Sequence, residues 1–148
     1  MHVQHRTDMI RLRQIFRRYT KVDAESHQPL VYPYVNHVDP EGSLLSLFRV
    51  NPTDPRDSLL ILFNFGPNCF QGSFYYELPV PTDFNGRWQV LFDADWMDHP
   101  PADASSYSPG YPSGTQLETQ PGEYSNQAQV LKLRVGASSL VVLKYDDL

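Results

Sequence analysis

Short apolar runs alternate with polar turns along most of this chain. Six of the runs have the length and the β-branched or aromatic content of strands, and they occupy positions 44–50, 59–65, 73–78, 87–93, 130–135 and 139–145. Turns rich in proline, asparagine and glycine separate them, including the strong turn dipeptide Asn85-Gly86. Further short strands are predicted at 30–34 and 115–119. Because no helical pattern lies between the strands, the sequence predicts an antiparallel β-sandwich of about seven or eight strands.

Two of the predicted strands are apolar at nearly every position. LLILFNF (59–65) and SLVVLKY (139–145) carry consecutive apolar residues instead of a regular alternation. Strands that are covered on both faces have this pattern, so we expect both in the centre of the fold. In the strand at 87–93, Trp88 is predicted to face the core together with Val90 and Phe92.

The first 21 residues carry a helical pattern instead. In TDMIRLRQIFRRYTK (7–21) an apolar stripe recurs at helical spacing, and it consists of Met9, Leu12, Phe16 and Tyr19 with Ile15 beside them. Thr7 is the expected N-cap, and arginines fill the opposite face. Such a stripe needs a surface to cover it, either the chain's own sandwich or a neighbouring domain outside these residues. We expect a helix and connector over 1–43 and the sandwich over 44–148, in one compact unit.

Charge and composition argue against several classes of protein. The formal net charge is −5, although half of the 12 basic residues lie within the first 21 positions. A nucleic-acid-binding protein would carry a basic surface, so none is expected as a partner. No apolar run reaches the ~18 residues of a membrane helix, and MHVQHRTD has no signal-peptide core. A single cysteine fits a reducing compartment, and the cytoplasm is the expected location.

Few residues form a recognisable catalytic or metal-binding pattern. P-loop, dinucleotide-binding, HExxH and cysteine-rich metal motifs do not occur in the sequence, so no cofactor or metal is expected. Cys69 has no helix N-terminus or basic neighbour to activate it, and we expect a buried or half-buried inert thiol. The carboxylate cluster at 93–99 is best interpreted as aspartates that cap a turn. The alternatives are a metal site and a catalytic centre built from Asp93, Asp95 and His99.

Aromatic residues in loops and at strand edges suggest a binding surface. A flat exposed ring beside polar groups can stack on the apolar face of a sugar. The residues predicted to do so are Trp96, Tyr107, Tyr111 and Tyr76, with Tyr75 and Tyr124 as further exposed rings. Packing within the fold is the alternative for each of these rings.

The order of the motifs resembles a known arrangement. The matching segments are Met9 to Arg13, Phe48-Arg49, Phe63-Asn64-Phe65, Gly86 to Trp88, Asp93 to Asp95 and Ser139 to Leu143. In this order they resemble the last barrel helix and the C-terminal all-β domain of α-amylase-type enzymes of glycoside hydrolase family thirteen, and most closely 1,4-α-glucan branching enzymes. Asn64 is the least generic match, because an amide within an apolar strand needs buried partners. The segment MDHPPADASSYSPGYPSG departs from the glycine-rich segment usual in branching enzymes.

The resemblance implies a non-catalytic accessory domain. Such a domain would support the catalytic barrel of its enzyme and bind α-glucan weakly, and it would contact the barrel through Met9, Leu12, Phe16 and Tyr19. The catalytic carboxylates of these enzymes lie in the barrel, so no catalytic residue is carried over to this chain. The alternative is a free-standing β-sandwich that binds carbohydrate or a separate protein, and an enzyme centred on Asp93, Asp95 and His99 is a third hypothesis.

Overall fold

One α-helix, eight strands and two three-residue 3-10 helices, Pro55–Asp57 and Thr82–Phe84, make up the regular structure of the described chain. The computed structural model describes residues 2–70, 74–95, 110–123 and 128–146. Helix α1 spans His2–Arg18. The strands are β1 Tyr32–Asp39, β2 Leu44–Val50, β3 Leu59–Asn64, β4 Tyr76–Pro79, β5 Arg87–Asp93, β6 Gln116–Glu118, β7 Val130–Leu133 and β8 Ser139–Tyr145. Among these residues, no helix is long and apolar enough to cross a membrane.

All strand pairs between these elements are antiparallel. Six strands form one sheet in the order β1-β2-β3-β8-β5-β6, and β4 pairs with β7 in a second, two-stranded sheet. The two apolar strands, β3 and β8, are neighbours in the middle of the large sheet. The predicted fold class, an antiparallel β-sandwich with an N-terminal helix, is therefore confirmed.

Three predicted strands keep their bounds, and the other predicted elements differ from the structure at one or both ends. The strands predicted at 44–50, 87–93 and 139–145 have those bounds. Strand β1, predicted only at 30–34, runs through Asp39 and pairs along its length with β2. The N-cap prediction is wrong, because α1 begins at His2 and Thr7 lies inside it. The first six residues contain no proline or glycine, so nothing in the sequence prevents the helix from beginning before Thr7.

The inner core lies between the two sheets. Trp88 and Phe48 are fully buried there, together with Leu78 of β4 and Leu131 of β7. Phe84 packs edge-on against Phe48 with ring centroids 4.7 Å apart. The indole Nε1 of Trp88 donates a hydrogen bond of 3.0 Å to the carbonyl of Phe84, so its polar atom is satisfied. The prediction that Trp88 belongs to the core is confirmed.

A second core lies on the outer face of the large sheet, beneath α1. Its buried members are Tyr19, Leu59, Ile61, Phe92 and Val142. The half-buried side chains of Leu12, Ile15 and Phe16 pack against them from the helix. Strands β3 and β8 are therefore covered on both faces, as their consecutive apolar residues predicted.

A register shift in β5 corrects one prediction about the core. The pairing of β5 with β8 slips between Val90 and Phe92, which is a bulge-like irregularity at this point of the strand. Trp88 and Val90 consequently face the inner core, whereas Phe92 faces α1 in the outer core. The prediction that all three side chains share one face is wrong for Phe92.

Candidate functional site

Asn64, the most distinctive residue of the apolar strand β3, is buried and has hydrogen-bond partners for both its amide nitrogen and its oxygen. Its side chain is 2% exposed. The amide Nδ2 donates to the carbonyls of Asn68 (2.7 Å) and Gly136 (2.8 Å), and Oδ1 accepts from the backbone N–H of Gly66 (2.9 Å). These bonds join the loop after β3 to the turn between β7 and β8. The Gly-Pro-Asn loop that follows β3 is thus fixed in place by a structural side chain.

Asp93 ends β5 and caps the turn that follows it. Its carboxylate accepts hydrogen bonds from the backbone N–H groups of Asp95 (2.9 Å) and Tyr111 (2.8 Å). Burial raises the pKa of Asp93 to about 6, although both hydrogen bonds act in the opposite direction. Burial also raises the pKa of Asp95. The hydrogen bonds are those expected for turn-capping aspartates, and both oxygens of Asp93 face the backbone.

The alternatives for this carboxylate cluster gain no geometric support from the described residues. His99, the third member of the catalytic hypothesis, lies outside them. Within the described ranges, no three histidine, cysteine, aspartate or glutamate side chains are placed to hold a metal ion. A carboxyl group with a raised pKa is frequent in active sites, but burial and turn formation account for it here.

Two of the tyrosines predicted to bind sugar are buried. Tyr76 is 7% exposed, and its hydroxyl lies 2.9 Å from Nε2 of His37 and donates to Asp39 Oδ2 at 3.3 Å. Tyr111 is 6% exposed. Its hydroxyl accepts from the backbone N–H of Arg134, whose guanidinium lies 4.4 Å from the ring centroid. The expectation of exposed rings is wrong for both residues, because partners distant in the sequence cover them.

The remaining aromatic predictions divide between the described residues and those outside them. Trp96, Tyr107 and Tyr124 lie outside the described residues. Tyr75 is 44% exposed, as predicted. Phe74, which the sequence analysis did not single out, is 78% exposed. The strand predicted from residue 73 begins only at Tyr76, so Phe74 and Tyr75 precede it and do not enter the sheet.

Phe74 and Tyr75 line a groove between the edge strand β1 and β4. The groove has a volume of about 810 Å³. His37, Asp39 and Glu41 contribute its polar groups, and Tyr76 contributes its buried hydroxyl. We call this site the aromatic groove. It combines exposed flat rings with hydrogen-bonding groups, which makes it a candidate ligand site.

The outer face of the large sheet carries an apolar surface wider than α1. Val38 of β1 pairs with Leu45, Leu45 with Phe63, and Phe63 with Leu140. The next row on the same face consists of Val35, Leu47, Ile61 and Val142. Helix α1 packs on the middle of these rows, while Val35 and Val38 at the β1 edge are each 56% exposed.

Further exposed side chains continue this surface past the helix. Met9 is 54% exposed and Phe65 is 67% exposed, and both line a cavity of about 460 Å³ beside α1. The ring of Phe65 stacks on that of Phe63 at 5.6 Å, which links it to the outer face. Met9, Val35, Val38 and Phe65 form what we call the outer patch. Soluble monomers usually place polar residues on the solvent side of a sheet, so this patch is a candidate protein interface.

The predicted interface residues of α1 divide between two roles. Tyr19 is buried against the chain's own sheet, and Leu12 and Phe16 are half-buried there. Met9 alone among the four is mostly exposed. The same helix flank carries Arg13 and Arg17, which line a groove with Met9, Leu12 and Phe16. The stripe therefore packs intramolecularly, and its contact with a partner domain stays a prediction.

Cys69 is exposed in the loop after β3. The prediction of a buried or half-buried thiol is wrong. The apolar run ends at Phe65, and the loop that follows carries its side chains outward, with Pro67 and Asn68 also exposed.

Comparisons with known proteins do not identify a family. No protein-family model matches the chain. No curated protein matches it either. The fold defines an antiparallel β-sandwich that carries an N-terminal helix on one face. The likeness to α-amylase-type enzymes stays a prediction based on the order of the motifs.

Proposed function

We propose that this chain is a non-catalytic accessory domain of an α-glucan-active enzyme of the branching-enzyme or amylase type. On this proposal the domain supports the catalytic barrel of the enzyme. The observation that carries the proposal is the outer patch, an apolar surface on the sheet face that α1 only partly covers. The order of the motifs supports the choice of enzyme class.

The energetics of the outer patch favour a covering partner. Burial of a Val, Met or Phe side chain contributes roughly 1.5–3 kcal/mol relative to full exposure. The exposed fractions of Met9, Val35 and Phe65 are 54%, 56% and 67%, so more than half of each side chain lies in water. A second body that covers them would gain much of this free energy, and the adjoining helix α1 would then be shared between both bodies.

The charges beside the outer patch indicate the chemistry of the covering surface. Arg13 and Arg17 lie on the same flank of α1 as Met9. Arginine at the rim of an apolar contact pairs with carboxylates across the interface. The proposed partner surface is therefore apolar at its centre and acidic at its edge.

Activity assays on the purified chain test its non-catalytic role. We expect neither new branch points nor new reducing ends when the chain is incubated with amylose or glycogen. Turnover that is lost in Asp95→Asn and kept in Asp83→Asn would contradict the proposal. Asp83 is a matched control, because it is an exposed aspartate in the turn before β5.

The aromatic groove favours a second candidate function, a free-standing module that binds carbohydrate or another protein. Both candidates use the same fold, and they differ in whether a catalytic barrel covers the outer patch. The mass of the native gene product separates them, because a barrel of this kind adds about 250 residues.

A further inference from the structure

We propose that the aromatic groove is the sugar-binding site of this chain and takes a neutral oligosaccharide. The rings that stack on the sugar are Phe74 and Tyr75, and Tyr76, one of the four residues expected from the sequence, contributes its hydroxyl. The inference rests on the proposed function only for the α-glucan class of the ligand. The geometry of the groove carries the rest.

The exposed rings are the first element of the site. Phe74 is 78% exposed and Tyr75 is 44% exposed, whereas Phe48, Phe84 and Trp88 pack into the inner core. The two rings line a concave site of about 810 Å³, which lies within the roughly 300–1,000 Å³ of known ligand clefts. A pyranose ring presents an apolar C–H face, and a flat aromatic surface is its natural complement.

The polar lining supplies the second element. Tyr76 donates a hydrogen bond to Asp39 Oδ2 and lies 2.9 Å from His37 Nε2, so the three side chains form one connected row. The backbone N–H of Gly42 donates to Asp39 Oδ1 at 2.9 Å and holds that carboxylate in place. Sugar hydroxyls both donate and accept hydrogen bonds, and a fixed row of acceptors and donors at one edge suits them.

The charge of the groove argues for a neutral ligand. No lysine or arginine is among the residues that line it in the described chain, so an anion would find no counter-charge. A cation would need available carboxylates. Asp39 accepts one hydrogen bond at each oxygen and keeps lone pairs for a sugar hydroxyl. Glu77 is 8% exposed and accepts from the backbone N–H of Glu123 at 2.8 Å, and within the described residues no three such side chains are placed to hold a metal ion. Among the described residues that line this groove, only Glu41 is an exposed carboxylate.

Titration of the intact chain with maltoheptaose and with cellohexaose, followed by amide NMR shifts, tests the inference. We expect shifts that cluster around Phe74 and Tyr75. The double variant Phe74→Ala/Tyr75→Ala should bind at least tenfold more weakly, because stacking on each ring contributes to affinity. Phe65→Ala is the matched control, since Phe65 is another largely exposed phenylalanine and lies in the outer patch, and it should bind as the wild type does.

Two results would overturn the inference. One is the failure of both sugars to bind, with or without binding of a tetralysine peptide in their place, and the other is binding that survives the double variant. Thermal unfolding of the double variant should match that of the wild type, because both rings are exposed. Binding of cellohexaose without maltoheptaose supports the groove as a sugar site and counts against the α-glucan class in the proposed function. If both sugars fail to bind, the proposed contact with a barrel is unaffected, because that proposal depends on the outer patch and not on the groove.

Discussion

The carboxylate of Asp93 is buried, and within the described residues its hydrogen-bond donors are two backbone N–H groups. Its pKa is about 6. The ordinary pKa of this side chain is 3.8, so the folded state holds the proton more tightly than the unfolded state. The contribution of Asp93 to stability is therefore complete below about pH 4, and it is lost as the pH rises through about 6. At about 1.36 kcal/mol per unit of pKa, the loss amounts to about 2–3 kcal/mol.

We predict that Asp93→Asn flattens this pH dependence, because asparagine does not ionise. The free energy of unfolding is measured in urea between about pH 4 and about pH 8. As the pH rises over this range, it should fall in the wild type by more than it does in the variant. Asparagine can accept only one of the two N–H bonds, so the variant should also be less stable at low pH. A difference between the two proteins that is constant over this range would contradict the assigned role of the carboxylate.

Single residues also show where sequence reasoning ends. Trp88 and Asn64 were assigned correctly, because an apolar neighbourhood in the strand predicts burial and a buried amide requires partners. Tyr76 and Tyr111 were not, because the groups that contact them include His37 and Arg134, which lie 39 and 23 residues away in the chain. No local pattern contains that information.

The end of β5 and the turn between β7 and β8 pack so closely at position 136 that a side chain there requires Asp95 to move. A Cβ atom added to Gly136 would overlap the carboxylate of Asp95. All of the close neighbours of that Cβ are side-chain atoms of Asp95, so the conflict lies between two elements and not within one.

We predict that Gly136→Ala destabilises the fold by about 1–3 kcal/mol, the usual cost of overpacking. In an Asp95→Ala background the same substitution should cost about 0.5 kcal/mol or less, because the overlapping atoms are gone. Urea unfolding of the four proteins in this double-mutant cycle measures the coupling. An equal cost in both backgrounds would show that the strain arises elsewhere.

The elements themselves were predictable to different degrees. Strands β2, β3, β5 and β8 follow from apolar content between turn signals, since they are central and covered. Strand β1 is an edge strand with exposed side chains and Pro33, so its apolar signal is weak, and its extent depends on pairing with β2. The shift in β5 depends on its register with β8, which the pattern of a single strand does not encode.

The outer patch links the fold of the whole molecule to its proposed role. Both faces of the large sheet are apolar near its centre, and α1 and the small sheet cover that centre. The patch lies beyond α1 towards the β1 edge and the loop after β3. If a barrel covers it in the native enzyme, the isolated chain carries an apolar surface that can associate with itself.

We predict that the isolated chain self-associates and binds a hydrophobic dye, and that Met9→Gln/Val35→Thr reduces both several-fold. Both substitutions conserve shape at exposed positions, so the free energy of unfolding should change by about 0.5 kcal/mol or less. Phe74→Ala is the control, because it alters the aromatic groove and should leave self-association unchanged. A wild-type chain that stays monomeric and binds no dye would count against the patch as an interface. Sedimentation velocity and dye fluorescence provide the readouts.

The central claim is that these residues work as one part of a larger glucan-acting enzyme. Its most direct test is an immunoblot of the native source with an antibody against this chain, combined with an assay for glucan branching or cleavage on the captured material. The account predicts a band far above the 17.0 kDa of the chain, together with co-purifying activity. A native band at 17.0 kDa that brings no such activity with it would contradict the account.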